Sequence, residues 1–125
     1  MNFKNEFTKI LEGKDIKTKL KQKFPDVIFH LLGPYEQNGE KDWYRLQMVL
    51  VPYKLRNKKL GTEFMKELIK LAKEEQRDIF LTPDDSYQEP GDMTKTDLIK
   101  WYKSLGFTKK RKDDFRSMDT MCYYT

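Results

Sequence analysis

The sequence predicts one α/β domain of the α+β kind, a mixed sheet flanked by helices, and three observations carry this. Asp42–Val51 (DWYRLQMVLV) ends in an apolar, β-branched run that reads as a strand. After it, Phe64, Met65, Leu68, Ile69 and Ala72 recur at the one-face spacing of a helix that runs to about Gln76. Asp78–Leu81 (DIFL) is then a short buried strand, parallel to 42–51 because a helix makes the crossover. Val27–Leu32 (VIFHLL) joins 42–51 through a loop and pairs with it antiparallel, so the sheet is mixed.

In chain order, residues 3–23 read as one interrupted helix or two short ones. Phe3, Phe7, Ile10 and Leu11 make one apolar face, and Ile16, Leu20 and Phe24 a second; Gly13 separates them and Pro25 ends the run. Lys14, Lys17, Lys19, Lys21 and Lys23 form a solvated surface rather than a nucleic-acid face. Val27–Leu32 leaves through a turn from Gly33-Pro34 to Asn38-Gly39. His30, the one histidine, has no partner at ligand spacing, so no metal site is expected. Residues 83–93 (PDDSYQEPGDM) are a loop, and Thr94 with Asp97 three positions on reads as a capping box opening helix 95–104. Gly106 is placed to stop that helix. Strands at Phe107–Lys109 and Ser117–Tyr124 close the chain.

At 125 residues the chain is read as a single domain, 1–125, large enough to bury one core. Charged residues make up 36%, but eight Phe and seven Tyr exclude a disordered chain. The lone Cys122 cannot form an internal disulfide, which points to a reducing cytoplasm. No apolar run approaches a membrane span, so no membrane partner is expected. The net charge of +5 suits a polyanionic ligand; nucleic acid stays open but is not favoured.

The chemistry concentrates between strand 42–51 and the helix after it. There lie Lys54, Arg56, Lys58 and Lys59, with a glycine at 61. A strand feeding a helix through such a loop aims unpaired backbone N–H groups and the positive helix end at one point, which suits phosphate. Neither GxxxxGK[ST] nor GxGxxG is present, so the loop is of another kind.

Two stretches resemble the signatures of the GNAT family of N-acetyltransferases. A strand ending Val51-Pro52 leads into Arg56-Asn57-Lys58-Lys59-Leu60-Gly61, similar to Arg/Gln-x-x-Gly-x-Gly/Ala, with Lys59 where the family has its first glycine. About forty residues on, Trp101-Tyr102-Lys103-Ser104-Leu105-Gly106-Phe107 resembles the family's Phe/Trp-Tyr-x-x-x-Gly-Phe. Seven residues before the tyrosine the family often has asparagine; here it is Lys95. The resemblance covers roughly residues 45–110.

It implies a GNAT-like, mostly antiparallel sheet whose central parallel pair splays, with the usual N-terminal strand missing. It implies acetyl-CoA as cosubstrate, its pantetheine along Met48, Val49, Leu50 and Val51. The pyrophosphate would lie on Arg56, Asn57, Lys58, Lys59, Leu60, Gly61 and Thr62, with Gly61 allowing close approach. Tyr102 takes the position of the family's general acid. The strand before the loop has Gln47 and no carboxylate from 43 to 51, so the base is Asp84, Asp85, a water, or nothing dedicated.

From the charges, the acceptor is expected to be a cationic amine, on a protein or a small molecule. No Lys or Arg lies between Arg77 and Lys95, while Asp78, Asp84, Asp85, Glu89 and Asp92 do. Such a chain would act as a monomer or homodimer. The alternative is a GNAT-fold module without catalysis that binds protein or nucleic acid.

Overall fold

The computed structural model describes residues 15–52, 59–84 and 93–125. Among them the order is α1 (Ile16–Lys23), β1 (Ile28–Tyr35), β2 (Trp43–Leu50), α2 (Leu60–Glu75), β3 (Asp78–Leu81), α3 (Lys95–Ser104), β4 (Thr108–Lys109) and β5 (Met121–Tyr123). The strands form one sheet in the order β1-β2-β3-β5-β4. β2 and β3 are parallel; the other neighbours are antiparallel. This is the expected GNAT-like mixed α+β architecture, with a parallel pair at its centre.

Period-two alternation divides the sheet into two faces. Tyr44, Leu46, Ile79, Leu81 and Met121 look to one side, where Ile16 and Leu20 of α1 and Phe64, Met65 and Leu68 of α2 complete the main core. Phe64 anchors it, 4.9 Å from the Phe29 ring and 5.6 Å from that of Phe24. α1 starts where Asp15 accepts the Thr18 N–H at 3.0 Å, and so covers the second of the two apolar faces read in residues 3–23. The first face, with Lys14, lies outside the described residues.

Trp43, Phe80 and Cys122 look to the other side of the sheet. No described helix covers them; the segment 110–120 does. Its Arg116 lies 5.0 Å from the Phe80 ring and 5.9 Å from Trp43, and donates to Asp78 at 2.8 Å, Asp114 at 2.9 Å and the Lys41 carbonyl at 2.8 Å. Asp78 is buried and also accepts from the Thr125 N–H at 2.8 Å and pairs with Lys41 at 3.1 Å. A cleft of about 300 Å³ beside this network is lined by groups that already satisfy one another, among them Lys41, Asp78, Asp114 and Arg116. Burial pushes the Cys122 thiol up to about 12, so it is an inert core residue.

Two strands differ from the sequence reading. β1 runs on to Tyr35 instead of turning at Gly33-Pro34. Gly33, at φ +103°, makes an irregularity after which Tyr35 regains register opposite Trp43, their rings 5.5 Å apart. A Cβ on Gly33 would stand 2.9 Å from the Tyr35 nitrogen. The last strand is shorter than 117–124, because Ser117 and Asp119 turn their side chains to local bonds: Ser117 donates to Asp119 at 2.7 Å.

Candidate active site

The pairing of the two parallel strands ends before β2 does. β2 and β3 are paired from Trp43–Asp78 to Leu46–Leu81, where β3 stops. β2 continues to Leu50 and on that stretch pairs only with β1: Met48 with His30, Val49 with Phe29, Leu50 with Ile28. Gln47 is an extra residue in β2, since His30 faces Met48 while Leu31 faces Leu46. Such a bulge bends its strand and raises the local twist. On the β3 side, Met48, Val49 and Leu50 therefore have no strand partner among the described residues. This end lies beyond the carboxyl end of β3, the side on which open sheets with parallel strands commonly bind ligands.

α2 begins at the same end, after β2. Its N-cap, Lys59, sits at φ +57°, ψ +24°, the left-handed region that glycine favours, and no side chain caps the helix. The position where the family has glycine thus keeps a glycine-like backbone while carrying a lysine. The first intrahelical bond closes from the Glu63 N–H to the Lys59 carbonyl at 3.1 Å. The amides of Leu60, Gly61 and Thr62, ahead of it, have no intrahelical acceptor. Gly61 serves packing: a Cβ there would stand 3.3 Å from Val51 Cγ2 and 3.8 Å from the Trp101 ring. The sequence offers no signal for this second reason for the glycine. Arg56, Asn57 and Lys58, like Lys54, lie outside the described residues.

The second stretch meets the first. The capping box of α3 is formed, with the Asp97 N–H to Thr94 Oγ1 at 3.2 Å and the Thr94 N–H to Asp97 at 3.3 Å. From α3, Trp101 Nε1 donates to Thr62 Oγ1 at 3.2 Å, tying this helix to the start of α2. The sequence reading places Thr62 among the expected phosphate contacts and carries no signal for this anchor. Tyr102, next to Trp101 with ring centroids 5.1 Å apart, is buried, and meets Phe107 edge to face with ring centroids 5.7 Å apart. Its hydroxyl has no hydrogen-bond partner among the described residues, and burial pushes it up to about 12. Gly106, at φ +107°, lets the chain turn back from α3 into β4, its Cβ position only 2.7 Å from the Tyr123 ring.

The acidic rim is only partly present. Asp78 belongs at the opposite end of β3, buried under Arg116 and Lys41, because it opens the strand rather than following it. Asp84 is exposed beyond β3 and has an interaction partner, while Asp85, Glu89 and Asp92 lie outside the described residues. His30 is exposed on β1, so it fills no core position. Among the described residues no group of His, Cys, Asp or Glu is arranged to hold a metal ion. A carboxylate that sequence reading passed over, Asp119, is buried beside the end of β3. It accepts from Thr82 at 2.8 Å and Arg45 at 3.0 Å, bonds that hold segment 110–120 in place.

With this geometry in view, the chain is similar to a solved structure, the crystal structure of the anti-CRISPR protein AcrVA5. The TM-score is 0.50 at 22% identity, over 76% of this chain and 97% of that one. The likeness is one of fold. No family model matches the chain, and no curated protein does. The GNAT membership expected from the two stretches is corrected accordingly: they carry a fold and a local arrangement, without the family's sequence pattern. Lys59 in place of glycine and Lys95 in place of asparagine are two of the departures.

Proposed function

We propose that the chain is an acetyl-CoA-dependent N-acetyltransferase that transfers acetyl directly to a primary amine. The observation that carries this is that the β2 edge left unpaired beyond β3, the uncapped start of α2 and the buried Tyr102, next to the Trp101 that bonds that helix start, belong to one end of the fold. A pantetheine arm needs an extended backbone edge, and the β3 side of Met48–Leu50 is one. A pyrophosphate needs N–H donors and positive charge, and the start of α2 with Lys59 supplies both. The cation-rich residues Lys54, Arg56 and Lys58 precede it in sequence.

In the reaction, a neutral amine attacks the thioester carbonyl carbon, the C–S bond breaks, and the sulfur leaves with the bonding pair. Tyr102 is the residue offered for the sulfur. An ordinary thiol titrates near about 8.5, well below the value of about 12 that burial gives this phenol. The phenol therefore donates a hydrogen bond to the departing thiolate and keeps its own proton; solvent protonates the thiolate afterwards. No carboxylate stands on β2, so the amine loses its proton to water or to Asp84 or Asp85. The acidic, cation-free stretch after β3 favours a cationic acceptor.

The test is a mass-resolved transfer assay with acetyl-CoA and a panel of amines: lysine peptides, peptide N-termini, polyamines, and neutral or acidic amines. Acetylation favouring the cationic members, with KM raised by Asp84→Lys/Asp85→Lys at unchanged acetyl-CoA affinity, is expected. A preference for neutral or acidic amines, or no transfer to any, would overturn this reading.

A further inference from the structure

Segment 110–120 presents two large apolar side chains to solvent. Phe115 is 88% exposed and Met118 97%, although most other large apolar groups among the described residues are wholly or partly buried. Leaving such side chains outside forgoes the gain that burying them would bring. The backbone carrying them is held on both sides. Arg116, between them, is pinned by Asp78, Asp114 and the Lys41 carbonyl; Asp119 is held by Arg45, Thr82 and Ser117; Lys110 Nζ donates to the Ser117 carbonyl. The two anchors are thus exposed on an ordered support, which lowers the entropy cost of docking.

The charge around them names the occupant. Lys109, Arg111 and Lys112 are exposed, with Arg111 stacked 3.9 Å over the Tyr124 ring. Asp114 and Asp119 are turned inward to Arg116 and Arg45, which leaves Asp113 as the exposed carboxylate of the segment. We propose that segment 110–120 is a docking surface for an acidic protein surface, with Phe115 and Met118 entering an apolar pocket on it. Phe, Met and Arg are enriched at such interfaces, and methionine adapts to irregular pockets. A second copy of a chain with net charge +5 would be repelled. A lipid surface would be gripped by an amphipathic helix rather than by two loop side chains. The surface covers the sheet face opposite the helices, so the inference is independent of acetyl transfer.

The test is selection of short random peptides displayed on phage against the immobilised protein, followed by anisotropy titrations of the enriched sequences. Expected are acidic peptides with aromatic or leucine anchors. Their affinity should fall about tenfold or more in Phe115→Ser/Met118→Ser and in Lys109→Glu/Lys112→Glu, both surface changes that leave the melting temperature in place. Enriched peptides without an acidic bias, or affinities untouched by either double variant, overturn the proposal. So does preferential binding to duplex DNA or to phosphatidylserine vesicles, or a dimer that Phe115→Ser/Met118→Ser dissolves.

Discussion

Replacing Arg116 with methionine tests how the second face of the sheet is held. The guanidinium is 7% exposed and Asp78 beneath it 2%, so the variant strands a carboxylate in a nearly dry site. Removing one partner of a buried ion pair costs about 3–5 kcal/mol. Asp78 keeps Lys41 at 3.1 Å and the Thr125 N–H at 2.8 Å, which places the loss at the low end, about 3 kcal/mol. Methionine retains much of the contact with Phe80 and Trp43, so little of that loss is packing. Acid sensitivity should change as well. Burial alone would raise Asp78, but the Thr125 N–H, Arg116 and Lys41 together hold its carboxyl below the usual range. A group lowered in the folded state adds stability above its unfolded value, about 3.9, and loses it as pH falls through the folded one. Arg116→Met should therefore move acid unfolding to higher pH. Urea denaturation at neutral pH and an acid titration followed by circular dichroism measure both effects. Adding Asp78→Asn to the variant should recover part of the loss. A cost under about 1 kcal/mol, or an Asp78→Asn change that deepens the loss in full, would refute a buried pair.

Tyr102→Phe should leave folding and acetyl-CoA affinity nearly intact and slow chemistry by about 10²–10³-fold, the cost of losing one hydrogen-bond donor to developing negative charge; an unchanged single-turnover rate would return Tyr102 to the core. Because burial holds its hydroxyl near about 12, the phenol stays protonated at every pH below that. The pH–rate profile should consequently rise with deprotonation of the amine and show no Tyr102-dependent descent below pH values near that figure; a descent near neutrality that Tyr102→Phe abolishes would contradict it. Lys59→Gly should raise stability by about 0.5–1 kcal/mol by relieving a left-handed lysine, while weakening acetyl-CoA binding through the lost charge; an unchanged or tighter Kd would take Lys59 out of the site.

The mixed sheet was legible because each strand carries its own signal. The apolar run of β2, the helical period of α2 and the short DIFL segment together force a parallel crossover. The Thr94–Asp97 box and the Gly106 stop were equally local, each set by residues within a turn of each other. What the sequence hid depends on distant partners. Asp78 read as part of an acidic rim because only the fold sets it under Arg116, 38 residues away. Gly61 read as room for a phosphate, while the structure also packs Val51 and Trp101 against it. The Trp101–Thr62 bond spans 39 residues and has no pattern in either helix. The resemblance of two short stretches outran the chain as a whole, since a strand–loop–helix and a helix stop can recur without the rest of a family's sequence.

Isothermal titration calorimetry with acetyl-CoA at low and raised salt tests the central claim most directly. The account predicts one-to-one binding that weakens as salt rises, because the positive start of α2 and its neighbouring cations meet the phosphates. Absence of binding at low salt would contradict it.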